Sequence, residues 1–159
     1  CASDLSSYCG GNFAGIESKL DYIAGMGFDA IWISPVVDNT DNGYHGYWAR
    51  NLDAVNSHFG SSQDLQSLID SAHSRGIWVM LDVVGNHMGY GAPAPGYSLN
   101  QSSNFHDCSN CPGSCNIEDF NNQPQVEHCR LSGLPDVNQS DPTTRELLKS
   151  WVQGIVKQY

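Results

Sequence analysis

Positive charge is scarce in this 159-residue chain: 7 Lys and Arg stand against 17 Asp and Glu, for a formal net charge of −10. Without a basic patch there is no electrostatic footing for nucleic acid or an anionic membrane, so neither is expected as a partner. Long hydrophobic runs are missing too. The longest, around residues 77–84, is interrupted by Asp82 and falls far short of the ~20 residues that a membrane span needs. Charged residues make up only 15% against 40% hydrophobic, which excludes a disordered or tail-like chain. There is no internal repeat and no low-complexity tract, and no signal-like apolar stretch precedes Cys1. The chain is therefore expected to be a mature product or a fragment.

What is present suits one compact domain, or part of a larger one, at roughly 150 residues per domain. The 6 cysteines are an even number, and Cys1–Cys9 and the cluster Cys108, Cys111, Cys115, Cys129 look like loop staples. Asn-x-Ser sequons at Asn100 and Asn138 fit the same oxidising, extracellular compartment.

Two segments read as fully buried parallel strands: Ala30-Ile31-Trp32-Ile33, and the longer apolar run over 77–84. Ile16, Leu20 and Ile23 form a helical stripe before the first strand, ending near Gly25 and Gly27. Leu65, Leu68, Ile69 and Ala72 form another, with Ser61 or Ser62 as N-cap and Gly76 after the last turn. Helix, strand, helix, strand is a piece of a β/α repeat. From residue 85 to about 140 the periodicity stops, and a disulfide-braced insert is expected there. Asp141-Pro142 then starts a last helix, with Leu148, Trp151, Val152 and Ile155 on its apolar face.

In a β/α barrel the working residues lie where strands run out into loops. Gly43-Tyr44-His45-Gly46-Tyr47-Trp48 follows the first strand, and Asp82-Val83-Val84-Gly85-Asn86-His87 ends the second. Aromatic faces beside hydrogen-bonding His and Asn suit a neutral, hydroxyl-rich ligand, although the same rings serve equally to plug a core. Asp82 either pairs with a neighbour, such as an Arg or a Trp N–H, or reaches the strand end as a site residue, and the buried structural role is the one expected. Asn86, Glu127 and Asp136 carry hard oxygen donors of the kind Ca²⁺ takes, or are simply caps and solvated acids. Cys108-x-x-Cys111 with Cys115, Cys129, His106 and His128 admits a zinc knuckle, but a second Cys-x-x-Cys is missing.

Several of these segments, in order, resemble the α-amylase superfamily of glycoside hydrolases, in its fungal-type secreted branch. Asp82-Val-Val-Gly-Asn86-His87 is similar to the signature closing barrel strand 3, and Leu134-Pro135-Asp136-Val137-Asn138 to the one near the end of the inserted B domain. Gln125-Val126-Glu127-His128-Cys129 resembles the segment before it, Gly43 to Trp48 the loop after strand 2, and Gly10-Gly11 through Trp32 helix 1 and strand 2.

The resemblance implies an α/β fold, a partial TIM (β/α)8 barrel from helix 1 to helix 3. Residues 1–84 would belong to the barrel, 85–140 to the inserted, disulfide-braced B domain, and 141–159 to helix 3. It implies a glycoside hydrolase, an endo-acting α-amylase cutting α-1,4-glucosidic bonds of starch or glycogen with retention, secreted and monomeric. Tyr47, Trp48 and His87 would line the sugar subsite beside the scissile bond. Calcium would be held by Asn86, Asp136 and the main-chain carbonyl of Glu127. Cys1–Cys9 matches one family disulfide and Cys115–Cys129 has the spacing of another, leaving Cys108 and Cys111 to pair together or to compete for Cys115. The loop from Pro35 to Tyr44 is short for the branch.

Retaining chemistry needs a carboxylate nucleophile and a carboxylic acid. The family carries them on strands 4 and 5, beyond Tyr159, so no catalytic residue is expected here and the chain alone is expected to be inactive. The alternatives are a related α-glucosidase or transglycosylase, or a non-catalytic amylase-like interaction protein.

Overall fold

The structure, a computed structural model, describes residues 5–159. The expected Cys1–Cys9 staple falls partly outside these residues.

Two short helices lead into the first strand: α1 (Phe13–Glu17) and α2 (Leu20–Gly25). The stripe predicted one helix. Ser18 Oγ instead donates back to the Gly15 carbonyl and the Lys19 amide to the Ile16 carbonyl, tightening the turn and breaking the helix. The apolar face survives the break, with Leu20 and Phe13 buried. Strand β1 (Ala30–Ile33) is followed by β2 (Val37–Asn39) and β3 (Ala49–Val55), then α3 (Ser62–His73) and β4 (Trp78–Leu81). A 3-10 turn (Ser102–Asn104), α4 (Gln123–His128) and α5 (Pro142–Gln158) complete the order.

The sequence settles α3 at both ends. Ser61 and Asp64 form a reciprocal capping box. At the other end the Ile77 amide reaches the Ala72 carbonyl and the Gly76 amide the His73 carbonyl, with Gly76 at φ +72. Leu65, Leu68, Ile69 and Ala72 are all buried on the face between. Helix α5 starts as expected, Asp141 accepting from the Thr144 amide with Pro142 in the first turn.

Strands β1 and β4 pair in parallel, Ala30 opposite Trp78 and Trp32 opposite Met80. Ile31, Ile33, Val79 and Leu81 face α1–α3 and share their core. The other face is bare: Trp32 is 68% exposed, Trp78 74% and Met80 54%. The strands are thus not buried on both sides as expected, because no described element packs on that face. The second strand is also shorter than the apolar run suggested, and leaves Asp82 just past its carboxyl end.

The antiparallel β2–β3 pair was not expected. It is irregular, with register shifts on both sides of Asp38. Its Val37, Ala49 and Leu52 form a second core with Met88, Leu99, Phe105 and Val137 from the irregular segment and Trp151 of α5. Residues 85–140 therefore share a core with the hairpin and the last helix. Bridges His87–Asp136, Phe105–Val137 and Asn116–Arg130 tie that segment together.

The disulfides correct the expected pairing. Cys108 bonds Cys115 and Cys111 bonds Cys129, with Cα separations of 5.4 and 5.7 Å; Cys115–Cys129 does not form. Cys115 ends a tight turn, its amide on the Pro112 carbonyl and its φ at +64, and bonds back to Cys108. Cys129, wholly buried after α4, is met by Cys111. All four being oxidised, none is left as a thiolate for zinc.

Candidate functional site

The aromatic loop after β2 is held by one buried side chain. Asn39, 5% exposed, accepts from the Trp48 amide at 2.8 Å, and its Nδ2 donates to the carbonyls of Val37 at 2.9 Å and Gly46 at 3.3 Å. Gly46 sits at φ +87, and a Cβ there would stand 2.7 Å from the Pro35 carbonyl oxygen, so only glycine fits. The loop thereby presents a run of rings. His45 stacks on Tyr47 and meets Trp48 edge-on, and Trp48 meets Tyr90 edge-on at 5.1 Å. Burial pushes the His45 imidazole below its ordinary range.

Of the three residues expected to line a sugar subsite, Tyr47 and His87 meet directly. His87 Nε2 lies 3.0 Å from the Tyr47 carbonyl oxygen, which as an acceptor assigns the ring proton to Nε2. Nδ1 then accepts from Asn86 Nδ2 at 3.3 Å. His87 is buried, Trp48 half-buried, and Tyr47 exposed. The Tyr47 hydroxyl donates to Asp82 Oδ2 at 3.0 Å. Asp82 is half-buried just past the end of β4 and is held there by a phenol in place of an Arg or Trp N–H, which is the strand-end alternative and not the fully buried one. That bond holds the Tyr47 phenol above its ordinary range.

The three expected metal ligands line one cavity of about 310 Å³, together with His106, Val126, His128, Gln139 and Ser140. Asp136 is 5% exposed, its Oδ2 bonded to His106 Nδ1 at 2.7 Å, and burial pushes its carboxyl up against the opposing pull of that bond. Among the described residues no hydrogen bond ends on Asp136 Oδ1 or Asn86 Oδ1. The Glu127 carboxylate is turned to Gln123 Nε2. Its main-chain carbonyl belongs to the last turn of α4, where the Arg130 amide goes to Cys115 instead of back into the helix. Among the described residues no group of three or more His, Cys, Asp and Glu could hold a metal ion by itself. An ion here would rely on amide and carbonyl oxygen as well as carboxylate, a donor set of the kind that suits Ca²⁺.

Two residues of the site escaped the sequence reading. Tyr90 packs on Trp48 and donates its hydroxyl to the Ser132 carbonyl at 3.0 Å, bridging to the far end of the irregular segment. Its signal is its place, two residues after Met88 in the run from Asn86. His106, read only as a zinc ligand, partners Asp136 because the Phe105–Val137 bridge brings the two stretches alongside.

Residues 3–111 match the family described as "Alpha amylase, catalytic domain". The curated α-amylase of Saccharomycopsis fibuligera is 41% identical over 171 aligned residues, covering all of this chain and 34% of that protein. The solved α-amylase of Geobacillus thermoleovorans, complexed with acarbose, superposes with a TM-score of 0.88 at 37% identity, over 99% of this chain and 34% of that one. That of Malbranchea cinnamomea gives 0.89 at 36% identity, over 100% and 36%. The chain thus spans about a third of the length of these three proteins. A family match over more than half of the chain, agreeing in order and geometry with the loops just described, places this chain in the α-amylase catalytic-domain family.

Proposed function

We propose that this chain is the part of an endo-acting α-amylase that builds one wall of the glucan cleft and its calcium site. The substrate is starch or a related α-1,4-glucan. Residues 1–84 and 141–159 belong to a (β/α)8 barrel and 85–140 to its inserted domain. The observation that carries this reading is the contact between His87 and Tyr47, next to Trp48, in a loop that the Tyr47–Asp82 bond fastens to the carboxyl end of β4. Exposed Tyr47 and half-buried Trp48 offer faces on which a glucose ring stacks, and the bond from His87 to the Tyr47 carbonyl holds the backbone that carries them. The Geobacillus relative is solved in complex with acarbose, which supports the reading.

Calcium would be held by Asn86 Oδ1, Asp136 Oδ1 and the Glu127 carbonyl. Bound there it supplies positive charge that ties the irregular segment to the end of β4. Asp82 is bonded to Tyr47 and Asp136 to His106, which suits structural roles for both. With the family's nucleophile and acid expected on strands 4 and 5, the chain alone is inactive, and the enzyme is monomeric and secreted.

The test is soluble-starch hydrolysis by a protein in which this sequence continues to the length of its relatives, beside the 159-residue chain. Internal cleavage by the longer protein alone is the expected result. Hydrolysis by the short chain, or release of single glucoses only by the long one, would overturn the reading.

A further inference from the structure

The fold treats the two Asn-x-Ser sequons differently: Gln139 and Ser140 of one line the cavity of Asn86, Glu127 and Asp136, whereas the other lies apart from it. Asn100, Gln101 and Ser102 are all exposed, on a stretch anchored at its ends by buried Leu99 and by buried Asn104, whose Oδ1 accepts from the Gln101 amide at 2.9 Å. Gln101 has extended backbone at φ −102, ψ 143. Among the described residues the one side-chain bond to Asn100 comes from Gln101 Nε2 at 2.8 Å and falls on the oxygen, leaving Nδ2 without a partner there. Ser102 Oγ, the hydroxyl the sequon requires, makes no hydrogen bond among the described residues.

Asn138 is built into the molecule. Its Oδ1 accepts from the amides of Ser140 at 3.1 Å and Asp141 at 3.2 Å, setting the turn that delivers Asp141 to the N-cap of α5. Its own amide donates to the Asn104 carbonyl at 2.8 Å. The side chain is half-buried after fully buried Val137, and walls a cavity shared with Phe105, His106 and His128. Gln139, the middle residue of that sequon, is tied down as well, to the Gly85 carbonyl at 2.9 Å. A glycan is bulky and needs open solvent around its first sugar.

We propose that Asn100 is a glycan attachment site of this protein and that Asn138 is not. The statement rests on the reading of the chain as secreted. In the transfer, Asn100 Nδ2 attacks C1 of an oligosaccharide carried on a lipid diphosphate. The N–C1 bond forms, the C1–O bond to the diphosphate breaks, and one amide proton leaves with the lipid diphosphate.

The experiment is to produce the full chain in yeast behind a supplied secretory leader and purify the secreted product. Treatment with a peptide amidase that removes N-glycans, in ¹⁸O water, is followed by peptide mass mapping. Conversion of Asn100 to labelled Asp, with Asn138 unchanged, is expected. N100Q and S102A should each lose the glycan completely, while N138Q keeps it. Because the leader is supplied, the outcome reports on the two sites and not on natural localisation, which is judged separately from secretion of the natural gene product. Label at Asn138, or at neither position in secreted protein, would overturn the proposal. N100D, which lacks the acceptor amide but keeps a short polar side chain, separates loss of the glycan from loss of folding: its thermal transition should match that of the enzymatically deglycosylated chain.

Discussion

The Tyr47 hydroxyl donates to Asp82 Oδ2 at 3.0 Å, so the aromatic loop after β2 is fastened to the carboxyl end of β4. A negative partner accepting from a phenol stabilises the protonated form, and this holds Tyr47 above its ordinary value. In D82N that contribution disappears and the Tyr47 titration should move down toward the ordinary phenol range. Spectrophotometric titration of wild type and D82N, each differenced against its Y47F counterpart, isolates the one phenol. An unchanged Tyr47 curve in D82N would contradict the assignment.

Asn39 is predicted to be the latch of the same loop. Replacement by Ala leaves the Trp48 amide and the Gly46 and Val37 carbonyls without their partner, at a cost of about 1–3 kcal/mol for a buried group left unpaired. Urea unfolding measures the loss. N39D keeps the acceptor for Trp48 but turns the Nδ2 donor into an oxygen facing two carbonyls, and is expected to be at least as damaging.

Two glycines near the site should behave in opposite ways. A Cβ on Gly89 would stand 2.5 Å from the Trp48 carbonyl oxygen and 2.6 Å from Thr40 Cγ2. That carbonyl is fixed by the Thr40 amide, so G89A should destabilise by about 1–3 kcal/mol and disturb Trp48. A Cβ on Gly85 would meet nothing within 4 Å and its φ is not left-handed, so G85A is expected to be neutral, or stabilising by up to ~1 kcal/mol through the unfolded chain. Denaturant midpoints of the pair check this.

The cap of α5 gives a pH dependence. Hydrogen bonds from the Thr144 amide and hydroxyl hold the Asp141 carboxyl below its ordinary value. A depressed folded-state pKa contributes stability above the unfolded value, near ~3.9, that is lost as pH falls through the folded one. Thermal melts between pH 6 and 2 should show wild type losing more stability below about pH 4 than D141N, which keeps the acceptor oxygen without the charge. Parallel curves would rule the cap out as the source.

Calcium should raise the melting temperature and a chelator should lower it. At free calcium 100-fold above its dissociation constant the gain is about 2.7 kcal/mol. Asp136→Asn removes the one carboxylate in the set and should abolish most of that gain, whereas Glu127→Gln, which leaves the main-chain carbonyl in place, should retain it. Equal losses in both variants would place the ion on the Glu127 side chain.

Much of this was legible from local pattern. Asp29 and Ser34-Pro35 bound β1 at its observed ends, Ser61 or Ser62 places the start of α3 to within a residue, and Asp141 with Pro142 marks where α5 begins. What stayed hidden depends on partners distant in the chain. Strand β2 is three residues long with a shifting register, too short for any period, although Asp41-Asn42-Gly43 is a turn signal that pointed to it. Apolar Trp32, Trp78 and Met80 gave no hint of which face a helix would cover. Four cysteines allow three pairings, and the choice fell to turns around Pro112 and Cys115. The candidate ligands Asn86, Glu127 and Asp136 were identified by resemblance, but the His106 that holds Asp136 is set by bridges no periodicity reveals.

The most direct test of the glucan-wall reading is an NMR titration of the calcium-loaded chain with maltoheptaose, following the Trp48 indole N–H. Its signal is assigned by loss in W48F among the four tryptophans. A saturable shift at Trp48, absent with a β-1,4-linked glucan of equal length and absent in Y47A, is the predicted result. A Trp48 signal unmoved by maltoheptaose, or moved equally by both glucans, would contradict it.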